Sequence, residues 1–357
     1  MLQAILEQFE INDESTAIQA FGSGLINHTW RIEHSKGKFI LQQINEQVFT
    51  NPVAIDNNIR SVAAYLAQHF PDYFFTVPLP ASGGTTLLQN TSGSFRLFSF
   101  VQGSHAYDVV QQPQLAYEAA RQFGHFTRLL SGFNAGSLQI TLPHFHDLLL
   151  RYQQFQQALT VGNKERLQHS AALIDELLSH KGLVEFFTDI QQNPSFKKRV
   201  THHDTKISNV LFDENNRGIC VIDLDTVMPG YFISDVGDMM RTYLSAAGEE
   251  ETDLTRIEIR EDYFDAIVQG YLGEMKDELS ADETNAFVYA GKFMIYMQAL
   301  RFLTDYLNND VYYGARYPLH NFNRAANQLT LLNALIKKEA TLHQKVARFL
   351  HSNKVVI

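Results

Sequence analysis

The dominant spacing of apolar residues changes near residue 101, and that change limits the folds open to this chain. Before it, the runs 17–21, 29–33, 38–43, 85–89 and 94–100 are short and rich in β-branched and aromatic residues. Turns such as His34-Ser35-Lys36-Gly37 and Asn90-Thr91-Ser92-Gly93 separate them, which predicts an antiparallel meander. Residues 2–9 predict a short amphipathic helix. A longer one runs from Pro52, with Asn51 as its N-cap, to about His69. After the change, helical spacing dominates over 113–131, 143–158, 165–179, 181–191 and 260–352, with 310–322 as a loop. The expectation is an α+β chain: a β-rich lobe over 1–101 and a larger, mainly helical lobe over 102–357. Two lobes joined by one short segment, here Val101-Gln102-Gly103-Ser104, create a cleft of the kind that binds small ligands.

Charge and cysteine usage narrow the partners. The chain carries 29 Lys plus Arg against 39 Asp plus Glu, a net charge of -10, which argues against nucleic acid or an anionic membrane as the main partner. The single cysteine, Cys220, lies in the apolar run Gly218-Ile219-Cys220-Val221-Ile222 and reads as a buried small hydrophobe. One cysteine forms no intrachain disulfide and no multi-cysteine zinc site. The N-terminus lacks a basic n-region, and no apolar run approaches the ~18–20 residues of a membrane span. The expected partner is a small molecule, and the expected compartment is the cytoplasm.

The helical lobe is interrupted by a polar stretch, Thr201-His202-His203-Asp204-Thr205-Lys206-Ile207-Ser208-Asn209, followed by strands over 209–213 and 219–224. His202, Asp204, Lys206, Asn209, Asp223 and Asp225 flank these strands, which predicts that they gather at one end of a hairpin. A carboxylate, an amide oxygen and a second carboxylate make a hard oxygen site suited to Mg²⁺ that also binds substrate phosphates. Asn209 and Asp223 are the candidate metal ligands, and Asp204 the candidate base toward a substrate hydroxyl. Asp235 and Asp238, a little further on, are read as structural, capping a helix or bonding this loop.

The pattern His202-x-Asp204-x-x-x-x-Asn209, then a short strand and Ile222-Asp223, resembles the catalytic loop and metal aspartate of the aminoglycoside phosphotransferase and choline kinase superfamily. That superfamily is a branch of the protein-kinase-like fold. The resemblance implies a bilobal structure, ATP and Mg²⁺ as cofactors, and phosphorylation of a small alcohol. It implies that the loop Gly22-Ser23-Gly24-Leu25-Ile26-Asn27-His28-Thr29 covers the nucleotide phosphates, with Gly22, Ser23, Gly24, Asn27 and Thr29 as nucleotide-binding positions. Ser99-Phe100-Val101 falls where the family's hinge bonds adenine, so Ser99 and Val101 join them.

One position departs from the family. The lysine expected late in the third strand is replaced by Gln42, while Lys38 on the same face is four residues earlier, roughly 13 Å away at ~3.3 Å per residue. The following helix offers Asp56-Asn57-Asn58 and no glutamate, so a charged pair is expected to give way to neutral amides, with Gln42 in the nucleotide site.

Two further passages are narrower: Ile222-Asp223-Leu224-Asp225-Thr226-Val227-Met228-Pro229-Gly230, continuing to Arg241, and residues 300–313, continuing through His320-Asn321-Phe322-Asn323-Arg324. With Gln42 and the Gly-Leu-Ile-Asn of the loop, they resemble the N-acetylhexosamine 1-kinase group, which implies transfer from ATP to the anomeric hydroxyl of N-acetylglucosamine or N-acetylgalactosamine. Asp204, Asp225, Arg301, Tyr306, Tyr312 and Tyr313 are the expected substrate residues, with Asp305 and His320 in the same region. Asp225 is open between a second metal ligand and a sugar-binding acid. A choline, ethanolamine or aminoglycoside kinase and a non-catalytic nucleotide-binding regulator are the alternative readings.

Overall fold

The computed structural model describes residues 2–11, 13, 16–22 and 26–352. The chain forms two compact units, one of Met1–Asp108, Leu129–Pro143 and Ser208–Pro229, the other of Val109–Arg128, His144–Ile207 and Gly230–Ile357.

The first unit opens with α1 (Leu2–Gln8) and builds a five-stranded antiparallel sheet from β1 (Ala17–Ala20), β2 (His28–His34), β3 (Gly37–Ile44), β4 (Leu88–Asn90) and β5 (Gly93–Ser99), in the order β1-β2-β3-β5-β4. Alternation places Ile32, Leu41, Phe95 and Leu97 on one face, where they pack with Ile5, Leu6 and Phe9 from α1 and the turn after it. Between β3 and β4 runs α2 (Pro52–His69), whose N-cap Asn51 accepts from Ala54 N as the sequence predicts. The strand expected at 85–89 begins later. Thr85 Oγ1 accepts from Leu87 N and Thr86 Oγ1 donates to Asp56 on α2, so these threonines close a local turn instead of entering the ladder. The same unit holds a hairpin of β7 (Val210–Phe212) and β8 (Gly218–Val221). Cys220 is fully buried in β8, and burial pushes its thiol up to about 12.

The second unit is helical. It contains α3 (Pro113–Leu129), α4 (Leu148–Val161), α5 (Lys164–His169), α6 (Ala171–Ser179) and α7 (Gly182–Gln192), then the short strand β6 (Arg199–Thr201). After the segment β9 (Met228–Gly230) come α8 (Phe232–Tyr243), α9 (Glu261–Ile267), α10 (Gly273–Met275), α11 (Ala281–Asn285), α12 (Phe287–Leu307) and α13 (His320–Ser352). The single helix expected over 165–179 is two, divided where Ser170 leaves helical geometry at ψ 6°. The axis of the unit is α12. It is apolar nearly all round and accordingly buried, packed by α4, α8 and α13. No described helix is long and apolar enough to cross a membrane.

The α8–α12 crossing fixes the site. A Cβ on Gly237 would stand 2.4 Å from Ala290 O and 2.9 Å from Met294 Cβ, so glycine alone permits this approach of the two backbones. Gly237→Ala should therefore destabilise the fold by about 1–3 kcal/mol, the usual consequence of overpacking, as read by urea denaturation. A change under about 0.5 kcal/mol would show that the helices are free to separate.

Candidate active site

The polar stretch after β6 has no regular hydrogen-bond ladder of its own. Its order is imposed by α8. Asp235, 1% exposed in the first turn of that helix, accepts from His202 N at 3.1 Å and from His203 N at 2.7 Å. Thr205 donates its hydroxyl to Asp235 O and its N–H to Asp238 Oδ2, while its carbonyl accepts from Tyr243 OH at 2.6 Å. Asp238 is in turn bridged to Arg241 at 3.0 Å. Burial pushes the Asp235 carboxyl up to about 7, even though the two loop N–H groups favour its charged form. Asp235 and Asp238 thus bond the loop, one of the two structural roles expected of them.

His203 holds φ at +67°, a conformation costly for a side chain with a Cβ, and its ring packs so close to Gly230 that a Cβ there would stand 2.4 Å from Nε2. His202 is fully buried with its ring edge-on to Phe123 at 5.1 Å. Below them, Arg199 of β6 bonds Glu283 through both terminal nitrogens, at 2.5 and 2.9 Å, and anchors the strand that leads into the loop. Asp204 is half-buried and meets Lys206 Nζ at 3.0 Å. The Asp204 carboxylate raises the Lys206 ammonium above its ordinary value. Lys206 lies in the sequence cluster, yet its lysine-to-base spacing of two carries no independent signal without this geometry.

In the first unit, Asn209 directly precedes β7 and Asp223 follows β8, and Ile222 N donates to Asn209 O at 2.8 Å. Both residues therefore stand at the same end of the hairpin. Asn209 is 6% exposed, whereas Asp223 is exposed in left-handed geometry at φ +59°. The described residues contain no group of three or more His, Cys, Asp or Glu able to enclose a metal. An amide oxygen and an exposed carboxylate at one rim fit a cation that takes its remaining ligands from phosphate and water, as Mg²⁺ does.

The third-strand amide is part of a charged network, contrary to the expectation of neutral amides alone. Gln42 lies opposite Arg96 on β5, and its Oε1 accepts from Arg96 Nε at 3.1 Å. Arg96 reaches Asp225 at 2.5 Å, and Asn27 Nδ2 donates to Asp225 Oδ2 at 2.7 Å. The Arg96–Asp225 approach lies off the hydrogen-bond direction, so Arg96 Nη1 and Asp225 Oδ1 have no directed partner. Arg96 and Asp225 are 2% and 1% exposed. The basic group comes from the neighbouring strand, and its carboxylate comes from the loop after β8, not from α2. On α2, Asp56 is engaged by Arg60 and Thr86, and Asn58 by Gln139.

Residues 17–279 match a protein family, the phosphotransferase enzyme family abbreviated APH. The chain belongs to this family. Solved structures agree on the fold. An aminoglycoside phosphotransferase from Alicyclobacillus acidocaldarius aligns with a TM-score of 0.65 at 13% identity, covering 97% of this chain and 96% of that one. A microcompartment-associated aminopropanol kinase gives 0.63 at 16% identity, covering 97% and 98%. A spectinomycin phosphotransferase, solved with ADP and spectinomycin, gives 0.56 at 13% identity, covering 94% and 97%. The fold is α+β and protein-kinase-like, with an antiparallel β-rich N-terminal lobe and a larger, mainly helical C-terminal lobe.

The remaining expected positions of this phosphotransferase fall in several places. Ser23 and Gly24 lie outside the described residues. Gly22 is exposed at φ +83°, and Thr29 Oγ1 accepts from Gln42 Nε2 at 3.4 Å. Ser99 ends β5 exposed, and Val101, two residues on, accepts from Ser104 through its carbonyl. Asp225, expected on metal or sugar, is instead buried against Arg96 and Asn27. Tyr306, expected at the substrate, is 3% exposed, with its ring against His169 and Phe322: it is a packing residue. His320 is committed to Glu250 at 2.5 Å, and Asp305 to the backbone of Tyr312 and Tyr313. Arg301, Tyr312 and Tyr313 do share one cavity.

Removing one partner of the buried Arg96–Asp225 pair strands the other charge, so Arg96→Met should lower stability by about 3–5 kcal/mol. Arg96→Met combined with Asp225→Leu should recover most of that loss. Urea denaturation of the three variants checks this, and a single variant within about 1 kcal/mol of wild type would mean that the pair is not load-carrying.

Proposed function

We propose that this phosphotransferase is an ATP- and Mg²⁺-dependent kinase acting on the anomeric hydroxyl of an N-acetylhexosamine, N-acetylglucosamine or N-acetylgalactosamine. The observation that carries the kinase reading is the Asp204 carboxylate, half-buried beside Lys206 on a loop whose backbone is bonded to α8. Phosphoryl transfer depends chiefly on positioning and electrostatics, and a preorganised loop supplies both. Asp204 orients the acceptor hydroxyl and takes its proton. Lys206 places a positive charge 3.0 Å from that carboxylate. Asn209 and Asp223 are the residues that would hold Mg²⁺, which screens the phosphate charge when bound. Gly22, Asn27, Thr29, Gln42, Ser99 and Val101 are proposed for the nucleotide, with Asn27 and Gln42 acting through Asp225 and Arg96.

The sugar reading rests on the narrower sequence resemblance and on Arg301, Tyr312 and Tyr313 lining one cavity of the helical unit. Guanidinium and phenol groups suit hydroxyl and acetamido oxygens. A quaternary or primary ammonium acceptor would instead meet Arg151 and Arg301, which disfavours choline and ethanolamine.

The test is a screen of sugars, amino alcohols and aminoglycosides with ATP and Mg²⁺, reading phosphorylated product. N-acetylhexosamine 1-phosphate is the expected product, and exclusive turnover of an amino alcohol would overturn the sugar reading. Asp204→Asn should lower turnover by roughly 10²–10⁴-fold with nucleotide affinity near wild type. Asp223→Ala should abolish turnover and remove the Mg²⁺ dependence of nucleotide binding, measured by calorimetry with and without the cation. Turnover of Asp204→Asn within a few-fold of wild type would remove that residue from the mechanism.

A further inference from the structure

The helical unit contains a cavity of about 400 Å³, formed by α4 and by the end of α12 with the segment that follows it. Arg151, Gln154, Arg301, Asp305, Tyr312 and Tyr313 are among its lining residues. The two arginines differ from four other arginines placed deep in this unit; a fifth, Arg260, also makes no ion pair but donates to the carbonyls of Tyr243, Leu244 and Ser245. Arg166, Arg199, Arg241 and Arg324 each meet a carboxylate. No ion pair of the described residues includes Arg151 or Arg301.

Their hydrogen bonds go to neutral groups. Arg151 donates to Gln154 Oε1 and to His144 O, both at 3.0 Å, and its Nε is buried without a partner. Arg301 donates to Gln298 Oε1 at 3.2 Å and to Tyr312 OH at 3.5 Å, with its guanidinium 5.4 Å from the Tyr313 ring centre. The one carboxylate in the lining is already occupied: Asp305 accepts from Tyr312 N, Tyr313 N and Asn321 Nδ2. Burial and the charge of Arg301 both lower the Arg151 guanidinium from its ordinary value, so the two cations repel each other in a partly dry setting. Nearby His146 does not relieve this. Burial first, then the charges of His203, Arg301, Arg241 and Arg151, hold its imidazole well below the ordinary range and hence neutral.

In a chain with a net charge of -10, two guanidiniums that make no ion pair, beside an aspartate already accepting from two backbone N–H groups and an amide, form a positive site. Such a site is relieved by an anion able to take charge-assisted hydrogen bonds from both. We propose that this cavity is an oxyanion subsite for the acceptor, recognising a carboxylate or phosphate group carried by a sugar. The inference rests on the assignment of Arg301, Tyr312 and Tyr313 to the acceptor and extends it: the N-acetylhexosamine taken up carries an acidic substituent away from the reacting anomeric hydroxyl. Arg151 and Gln154, on α4, are then specificity residues that the sequence reading did not single out.

Calorimetry on the whole chain, without nucleotide, tests this with four probes: glucuronate, glucose 6-phosphate, N-acetylglucosamine 6-phosphate and neutral N-acetylglucosamine. At least one anionic sugar should bind at least about tenfold more tightly than the neutral one, with affinity falling as salt rises. Arg151→Gln should weaken that anion by at least about tenfold and leave the neutral sugar within about threefold, Arg301→Gln should weaken anionic and neutral sugar alike, and Arg151→Lys should restore part of the loss. Tighter binding of glucuronate identifies a sugar acid as the source of the oxyanion, and tighter binding of either phosphate identifies a sugar phosphate; both support the subsite. Neutral sugar bound as tightly as every anion, or anion binding insensitive to both salt and Arg151→Gln, overturns it. The salt series uses unaltered protein and so stands even if a variant misfolds. Because no nucleotide is present, failure of sugar phosphorylation and failure of anion binding are separate results.

Discussion

Asp235 carries more of this structure than any other side chain. The segment from His202 to Lys206 runs between β6 and the β7–β8 hairpin with no ladder to satisfy it, and buried backbone N–H groups without acceptors are costly. A single carboxylate on the first turn of α8 accepts two of them, and the next acidic residue one helical turn on, Asp238, accepts a third. Helical spacing makes this possible, since positions three apart face the same way. The arrangement also makes the loop dependent on α8, whose place is set in turn by the glycine contact with α12. Core packing is thereby converted into the position of one carboxylate, that of Asp204. The strain at His203, φ +67°, persists because neighbouring bonds on both sides hold it.

Arginines serve two opposite purposes in the chain. Arg96 is neutralised by Asp225, buttressed by Gln42, and fixed between two strands and a loop. It places a buried positive charge on the strand next to β3. Arg151 and Arg301 line a cavity and make no ion pair among the described residues. A paired guanidinium is a structural tie, and one without a counter-charge is poised for an anionic partner. The contrast is between side chains of the same chemical type, so it reflects placement and not composition.

The elements that bury a regular apolar face were legible in the sequence. The five-stranded meander, the Asn51 cap and the helical second half follow from period and punctuation, which are local properties. Breaks were not legible where a polar side chain finds a non-local partner: Thr86 turns to Asp56 thirty residues away, which delays β4. Among the site residues, spacing alone marked Asp204, Asn209 and Asp223, because a loop and a two-residue-period hairpin put them at fixed places along the chain. It also marked Asp235 and Asp238 as structural, with capping of a helix and bonding of that loop left open.

Spacing could not separate Tyr306 from Tyr312 and Tyr313, since all three are tyrosines near the end of one helix. Packing decided that Tyr306 lies against Phe322 and that the other two face a cavity. Nor could it show that the charge missing from position 42 stands at position 96, fifty-four residues later. That pairing exists only because β3 and β5 are neighbours in the sheet. The sequence by itself determined the α+β class and the order of Asp204, Asn209 and Asp223 along a loop and a hairpin, both written in short-range pattern. The tertiary structure decided which charges meet a partner, because burial and cross-strand register are properties of residues distant in the chain.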